Sequence, residues 1–327
     1  MAKRLFAVFS LMILSPLIAE YLLGSLPVAM LPILPVMMLM YGAGAVLVRE
    51  IVRRAGKGWP SLILLATAYG LIEEGLVDQS LFNPNYLHLR LLDFGFIPWL
   101  GTSPVWAIYV VGLHMFWSIS APVGLSESLY PARRTIPWLG PVSTVIITLF
   151  FLAGTALVAL FTYKSLPFMA TPAELFGTVA LIAALVFAAL IWPAPRPVFK
   201  AAAEAKAPHP LVLFLVAFIP GSLFVAMEFW GGRLLHAPWF AVAGALAGCE
   251  LLALVLMVVL TRGKTWTDAQ RFGLTAGALG VYVWFGVPTD IALHKPADLP
   301  GHMALVAVTL VLFAIAGFRA VRFREIR

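Results

Sequence analysis

Two adjacent carboxylates, Glu73 and Glu74, stand inside the apolar stretch from Gly58 to Tyr86, GWPSLILLATAYGLIEEGLVDQSLFNPNY. A helix starting near Trp59 and rising about 1.5 Å per residue carries them roughly 21–22 Å into a hydrocarbon core of about 30 Å. An ionisable group at that depth costs at least about 2.5–3.5 kcal/mol, so it is retained where it faces a bundle interior or a water-filled cavity. Glu74 and Asp78 are four residues apart and share a helix face, with Glu73 turned about 100° away. On a later apolar stretch His114, Trp117 and Ser118 fall on one face at i, i+3 and i+4. Glu20, Glu228 and Glu250 complete the set of acids inside apolar segments, and all of these groups sit in the same half of the bilayer. No Lys or Arg lies at those depths, so the carboxylates lack a permanent cationic partner. Groups so placed suit proton relay or cation binding, and a paired Glu with a His suits general acid and base work on water. One His with two Glu falls short of a four-ligand zinc set, which leaves metal binding open; no other cofactor is implied.

These residues need a membrane scaffold. The chain is 62% hydrophobic and 11% charged over 327 residues, more apolar side chain than a soluble domain hides. The net charge of +7 is divided among short clusters between apolar segments, a topology signal that argues against nucleic acid as a partner. Cys249 is the only cysteine, so no intramolecular disulfide forms. The Met-Ala-Lys-Arg start leads into an apolar run that contains Glu20 and no small-x-small cleavage signal, and it reads as an uncleaved first helix.

The apolar windows predict an all-α, polytopic helical membrane protein of ten spans in one transmembrane domain. They lie at about 5–23, 28–48, 59–79, 105–124, 138–161, 173–192, 211–230, 238–260, 269–287 and 302–319. The basic clusters Lys3/Arg4, Arg49/Arg53/Arg54/Lys57, Arg133/Arg134, Arg196/Lys200/Lys206, Arg262/Lys264/Arg271 and Arg319/Arg322/Arg324/Arg327 all fall on one side. The positive-inside rule then places both termini in the cytoplasm, for an integral protein of a bacterial-type plasma membrane. Trp59, Trp138, Trp192 and Trp266 near the inner ends, and Trp99, Trp106, Trp230, Trp239 and Trp284 near the outer ends, read as aromatic belts. Only Trp117 sits mid-span.

Two segments interrupt this pattern. Phe82 to Pro104 opens with an Asn-Pro-Asn turn and has enough apolar residues for a short interfacial or re-entrant helix above Glu73 and Glu74. Residues 193–210, rich in Pro, Ala and charge, form a cytoplasmic linker between spans one to six (residues 1–192) and spans seven to ten (residues 211–327). Across it, Glu20 in AEYLLG pairs with Glu228 in MEFWGG, and Gly56-Lys57-Gly58-Trp59 with Gly263-Lys264-Thr265-Trp266. The shared offset predicts a 4+2+4 parallel pseudo-repeat, a symmetry common among transporters. Gly244/Gly248 and Gly273/Gly277 are GxxxG pairs that predict close helix packing.

GLIEEGLVDQ, followed on the next span by VVGLHMFWS, resembles the first two motifs of the CAAX-protease and bacteriocin-processing family, membrane-embedded glutamic hydrolases. The resemblance covers spans three and four. It implies that Glu73 and Glu74 match the Glu-Glu pair, one of them as general base, and that His114 matches the second-motif histidine, together activating water for peptide cleavage. This chain has Asp78 where that family has Arg, Val110 where it has Phe, and no third His motif in spans five or six.

Other signatures are absent: there is no His-Glu-x-x-His helix, no Gly-x-Ser-x-Gly elbow, and Gly263-Lys264-Thr265 lacks the earlier Gly of a phosphate loop, Val258 standing there. Three readings follow. The leading one is a permease or proton/cation-coupled transporter using Glu20, Glu73, Glu74, Asp78, His114, Glu228 and Glu250 for a small solute or ion. The second is an intramembrane hydrolase with Glu73, Glu74 and His114 at its centre and a membrane peptide as substrate. The third is a non-catalytic scaffold subunit in which the acids specify helix packing. Oligomeric state is not encoded in any of these features.

Overall fold

The computed structural model describes residues 2–192, 208–261, 266–294 and 296–322. Most of the linker, Gly263-Lys264-Thr265 and the basic residues Arg196, Lys200, Lys206, Arg262, Lys295, Arg324 and Arg327 lie outside the described residues. Among those described, ten helices are long and apolar enough to cross a membrane. Spans one to five are Arg4–Leu22, Val28–Arg54, Trp59–Val77, Pro104–Leu129 and Pro141–Ser165. Spans six to ten are Pro172–Ile191, Pro210–Gly232, Trp239–Leu256, Asp268–Leu293 and Leu299–Ala320. The hydropathy windows and these helices agree to within a few residues except where charge continues a helix.

Span two is the informative exception. It runs to Arg54, so Arg49 and Glu50 belong to its last turns and are buried, although charge alone places them in a loop. Burial is tolerated because each donor and acceptor is met. Arg49 Nε lies 3.0 Å from Glu127 Oε1, and its Nη2 donates to the carbonyls of Arg133, Arg134 and Ile136 at 2.9, 3.0 and 3.2 Å. Arg53 grips Glu127 with two bonds of 2.9 and 2.8 Å, and Glu50 accepts from the backbone amides of Trp138 and Leu139. The Arg49 guanidinium carbon stands 3.4 Å from the centroid of the Trp138 ring. Trp138 is therefore a buried packing residue under a cation and not part of a lipid-facing belt.

Two apolar cores meet along span four. One gathers Leu11, Met40, Val46, Leu62, Ile63 and Ile119 from spans one to four, with spans five and six against its outside. The other gathers Trp117, Phe224, Leu246, Tyr282 and Phe285, joining span four to spans seven, eight and nine. Span four is 83% buried along its apolar window and span six 11%, so span four is the axis and span six the periphery. Trp117 points away from His114 into the second core, stacking on Tyr282 at 4.9 Å and donating to the Ala278 carbonyl at 2.7 Å. Gly273 and Gly277 let span nine ride on the backbone of span seven, where a Cβ would overlap the Pro210 and Phe214 carbonyls. Gly244 and Gly248 face open space, so only one of the two GxxxG pairs packs helices within the described residues.

The stretch from Phe82 to Pro104 makes no interfacial helix. Its only helical piece is a single 3-10 turn at Tyr86–His88. Asn83 Oδ1 captures the Asn85 amide at 3.0 Å, Leu87, His88 and Arg90 hold positive φ, and Gly95 and Gly101 turn the chain twice more, which no continuous helix accommodates. Ser103 then folds it back with a 2.7 Å bond to the Phe94 carbonyl and caps span four. Outside the membrane, Tyr86 is pressed against Asp78, and burial pushes its hydroxyl well above the usual tyrosine range.

Candidate functional site

Each of the first four spans interrupts its α-helix with a π-helical turn, at Leu17–Leu22, Met38–Gly42, Ile72–Val77 and His114–Ser120. These turns carry, in that order, Glu20, Tyr41, Glu73 with Glu74, and His114 with Ser118. A π turn widens the helix by one residue and is concentrated where side chains must be re-aimed. Span three meets span four closely here because residue 70 is glycine; a Cβ on Gly70 would stand 3.0 Å from the Cβ of His114.

The imidazole of His114 lies between the two glutamates. Its Nε2 is 2.7 Å from Glu74 Oε1, and its Nδ1 is 3.2 Å from Glu73 Oε2 and 3.0 Å from Ser118 Oγ. All three residues are buried, Glu73 at 2%, Glu74 at 6% and His114 at 5% exposure. Glu74 Oε2 accepts from Ser80 Oγ, which in turn accepts from Trp106 Nε1 at 3.1 Å. Ser80 and Trp106 thus close the site on the side where the sequence suggested a helical cap. Glu73 is also approached by the hydroxyls of Tyr69 and Tyr41. The Tyr69 ring is 6.2 Å from that of His114.

Two more predicted acids adjoin this centre. Glu20 accepts from the Tyr41 hydroxyl and from Ser25 Oγ at 2.6 Å, and the Tyr41 ring stands 5.9 Å from that of His114. Asp78 accepts from Thr162 Oγ1 of span five at 3.0 Å and stays within electrostatic reach of Glu74, as the four-residue spacing suggests. Glu228 lies near Tyr109 and Glu250 against Gly112, in the region of the second core. Neither enters the cluster around His114. Glu73, Glu74 and His114 each offer one ligand atom, and those atoms lie within 4.8 Å of one another, a set able to hold a metal ion.

Sequence reasoning missed Tyr41, Tyr69 and Ser80. A tyrosine in an apolar run looks like packing, and Ser80 stands beyond the span; of the three, Tyr41 sits in a π turn, which periodicity does not reveal.

The model of an uncharacterized membrane protein family matches residues 9–326. The chain belongs to that family. The match reaches into all ten spans, so the cluster and both cores lie within the family's common length. No curated protein and no solved structure matches the chain.

Proposed function

We propose that this multi-pass membrane protein is an intramembrane hydrolase that cleaves an amide or ester bond of a membrane-embedded substrate, with Glu73, Glu74 and His114 as its catalytic residues. The observation that carries the reading is the buried contact of one imidazole with two carboxylates, 2.7 Å to Glu74 and 3.2 Å to Glu73. In this reading Glu73 takes a proton from water and the water oxygen bonds to the carbonyl carbon. His114, oriented by Glu74 and Ser118, passes that proton to the leaving group as the carbonyl carbon to nitrogen or oxygen bond breaks. The Tyr69 hydroxyl, which reaches Glu73, is the donor assigned to the oxyanion. The resemblance to the CAAX-protease and bacteriocin-processing family supports the same assignment.

The test is product profiling with the purified protein in lipid nanodiscs, offered a library of membrane-anchored peptides and lipid esters. Wild type is expected to release product, and Glu74→Gln to lower the rate by about 10²–10⁴-fold, the range of a lost general acid or base. Equal cleavage by wild type and Glu74→Gln, or no cleavage by wild type, overturns the reading.

A proton- or cation-coupled transporter is the second reading, favoured by one observation: Tyr41 links Glu20 to the His114 cluster and so extends a polar path across three spans. Glu228 and Glu250, which a site shared between the two halves would use, sit apart from that path. Coupled flux that dies with Glu20→Gln, in a protein without cleavage activity, would put transport first. Wild-type behaviour of neutral isosteres at every intramembrane acid would leave the scaffold reading.

A further inference from the structure

We propose that the Glu73, Glu74 and His114 cluster binds one divalent first-row transition cation, through the imidazole and one oxygen of each carboxylate. The ligand atoms already lie within 4.8 Å of one another and all three residues are buried. Their remaining polar atoms are held from behind. Ser118 Oγ stands 3.0 Å from His114 Nδ1, and Ser80, itself fixed by Trp106, holds Glu74 Oε2. Outer partners of this kind orient the ligands of metal sites and fix the ring. Glu73 is as deeply placed, only 2% exposed, and its Oε2 faces the same imidazole at 3.2 Å, so both carboxylates converge on one ring. Two buried carboxylates brought to one point are costly unless a cation offsets their charge.

Charge and donor type narrow the ligand. The ion pairs of Arg49, Arg53, Arg54 and Arg134 involve other acids, and none reaches Glu73 or Glu74. A dication balances two carboxylates in a medium where an unbalanced pair is costly. One nitrogen with two oxygens suits zinc, manganese or iron, whereas calcium and magnesium prefer all-oxygen shells. Three protein ligands leave a fourth position for water, the arrangement of catalytic zinc sites. Only that use of the cation, polarising the attacking water, rests on the hydrolase reading; the site stands on its own geometry.

The experiment takes the full chain in nanodiscs, strips it with a chelator and dialyses it against zinc or manganese chloride. Bound metal is then measured by mass spectrometry and thermal unfolding followed by tryptophan fluorescence. Wild type should hold about one equivalent and gain thermal stability with metal, as expected for a ligand that binds the folded state. Glu74→Gln and His114→Gln should lose both effects, and Glu250→Gln should keep them. Uptake by wild type no greater than by empty nanodiscs, or wild-type stoichiometry in Glu74→Gln and His114→Gln, overturns the proposal. If either variant fails to give a monodisperse chromatographic peak, Glu73→Gln decides: a lost metal-dependent shift supports the site and a retained one overturns it. Cleavage assays on stripped and reloaded protein separate this proposal from the function. Metal uptake at the cluster without cleavage sinks the hydrolase and keeps the cation site, whereas Glu74-dependent cleavage without uptake does the reverse.

Discussion

Glu73 and Glu74 are neighbours in sequence but not equivalent in their bonds. Glu74 has both oxygens engaged, by His114 and Ser80, while Glu73 meets the imidazole through Oε2 at the longer distance of 3.2 Å. Tyr41 offers a different dissection of the site from either acid, because its hydroxyl stands between Glu20 and Glu73. Tyr41→Phe leaves Glu20 with Ser25 as its remaining side-chain partner and removes the hydroxyl that points from the His114 side. Under the hydrolase reading its cleavage rate should fall less than about 10-fold, well short of a lost acid or base. Under the transporter reading coupled flux should disappear. In either case leaving a buried acceptor unmet should cost about 1–3 kcal/mol, read as a lower unfolding temperature. Arg49 makes the opposite kind of prediction. It is fully buried and bonded to Glu127, Glu50 and three carbonyls. Arg49→Ala should therefore destabilise by about 3–5 kcal/mol, measured by thermal unfolding in detergent, without any direct effect on the distant glutamates.

At the scale of elements, the four π turns and the glycines between them decide where side chains go. Gly42, in the π turn of span two, lies where a Cβ would overlap the Met12 carbonyl of span one. Backbone cannot step aside as a flexible side chain does. Gly42→Leu should thus part spans one and two, cost about 1–3 kcal/mol or more, and displace Tyr41 from Glu20. Co-elution profiles on heating would show the loss, and a Gly42→Leu protein as stable as wild type would contradict the packing. The spans themselves were legible because hydropathy over some twenty residues is a property of composition. Glu73, Glu74 and His114 were legible because charge in an apolar run is conspicuous. What the sequence hid was angular. Ideal helical spacing puts Trp117 beside His114, and in the structure Trp117 turns to Tyr282. A π turn shifts the phase of the helix, and no residue type announces it. Arg49 was hidden for a different reason: a charge at the end of an apolar window reads as loop, and only its partners on span four and the following loop show that it is buried.

For the whole molecule the open question is which end faces which compartment, and the charges answer it in advance. Arg49, Arg53, Arg54, Arg133 and Arg134 gather at one end, in a network that ties spans two and four together and reaches Asp268 at the start of span nine. Cationic ends stay cytoplasmic because translocating them is unfavourable. The positive-inside rule predicts that this end, with both termini, faces the cytoplasm and that the loop from Phe82 to Pro104 faces the other side. Single-cysteine labelling in a Cys249→Ser background tests this. Asp93→Cys, on the exposed loop, should react with a membrane-impermeant maleimide in intact spheroplasts, while Lys57→Cys, half-buried at the basic end, should react only after lysis. The reverse pattern would invert the protein. The outcome bears on mechanism as well as topology. The glutamates sit some fifteen residues along span three from the basic end and only a few from the external loop, so a hydrolytic water would enter from outside, past Ser80 and Trp106. Widening that route with Trp106→Ala should then raise cleavage of externally presented substrates or uncouple any flux, and an unchanged rate would mean that water reaches Glu73 by another path.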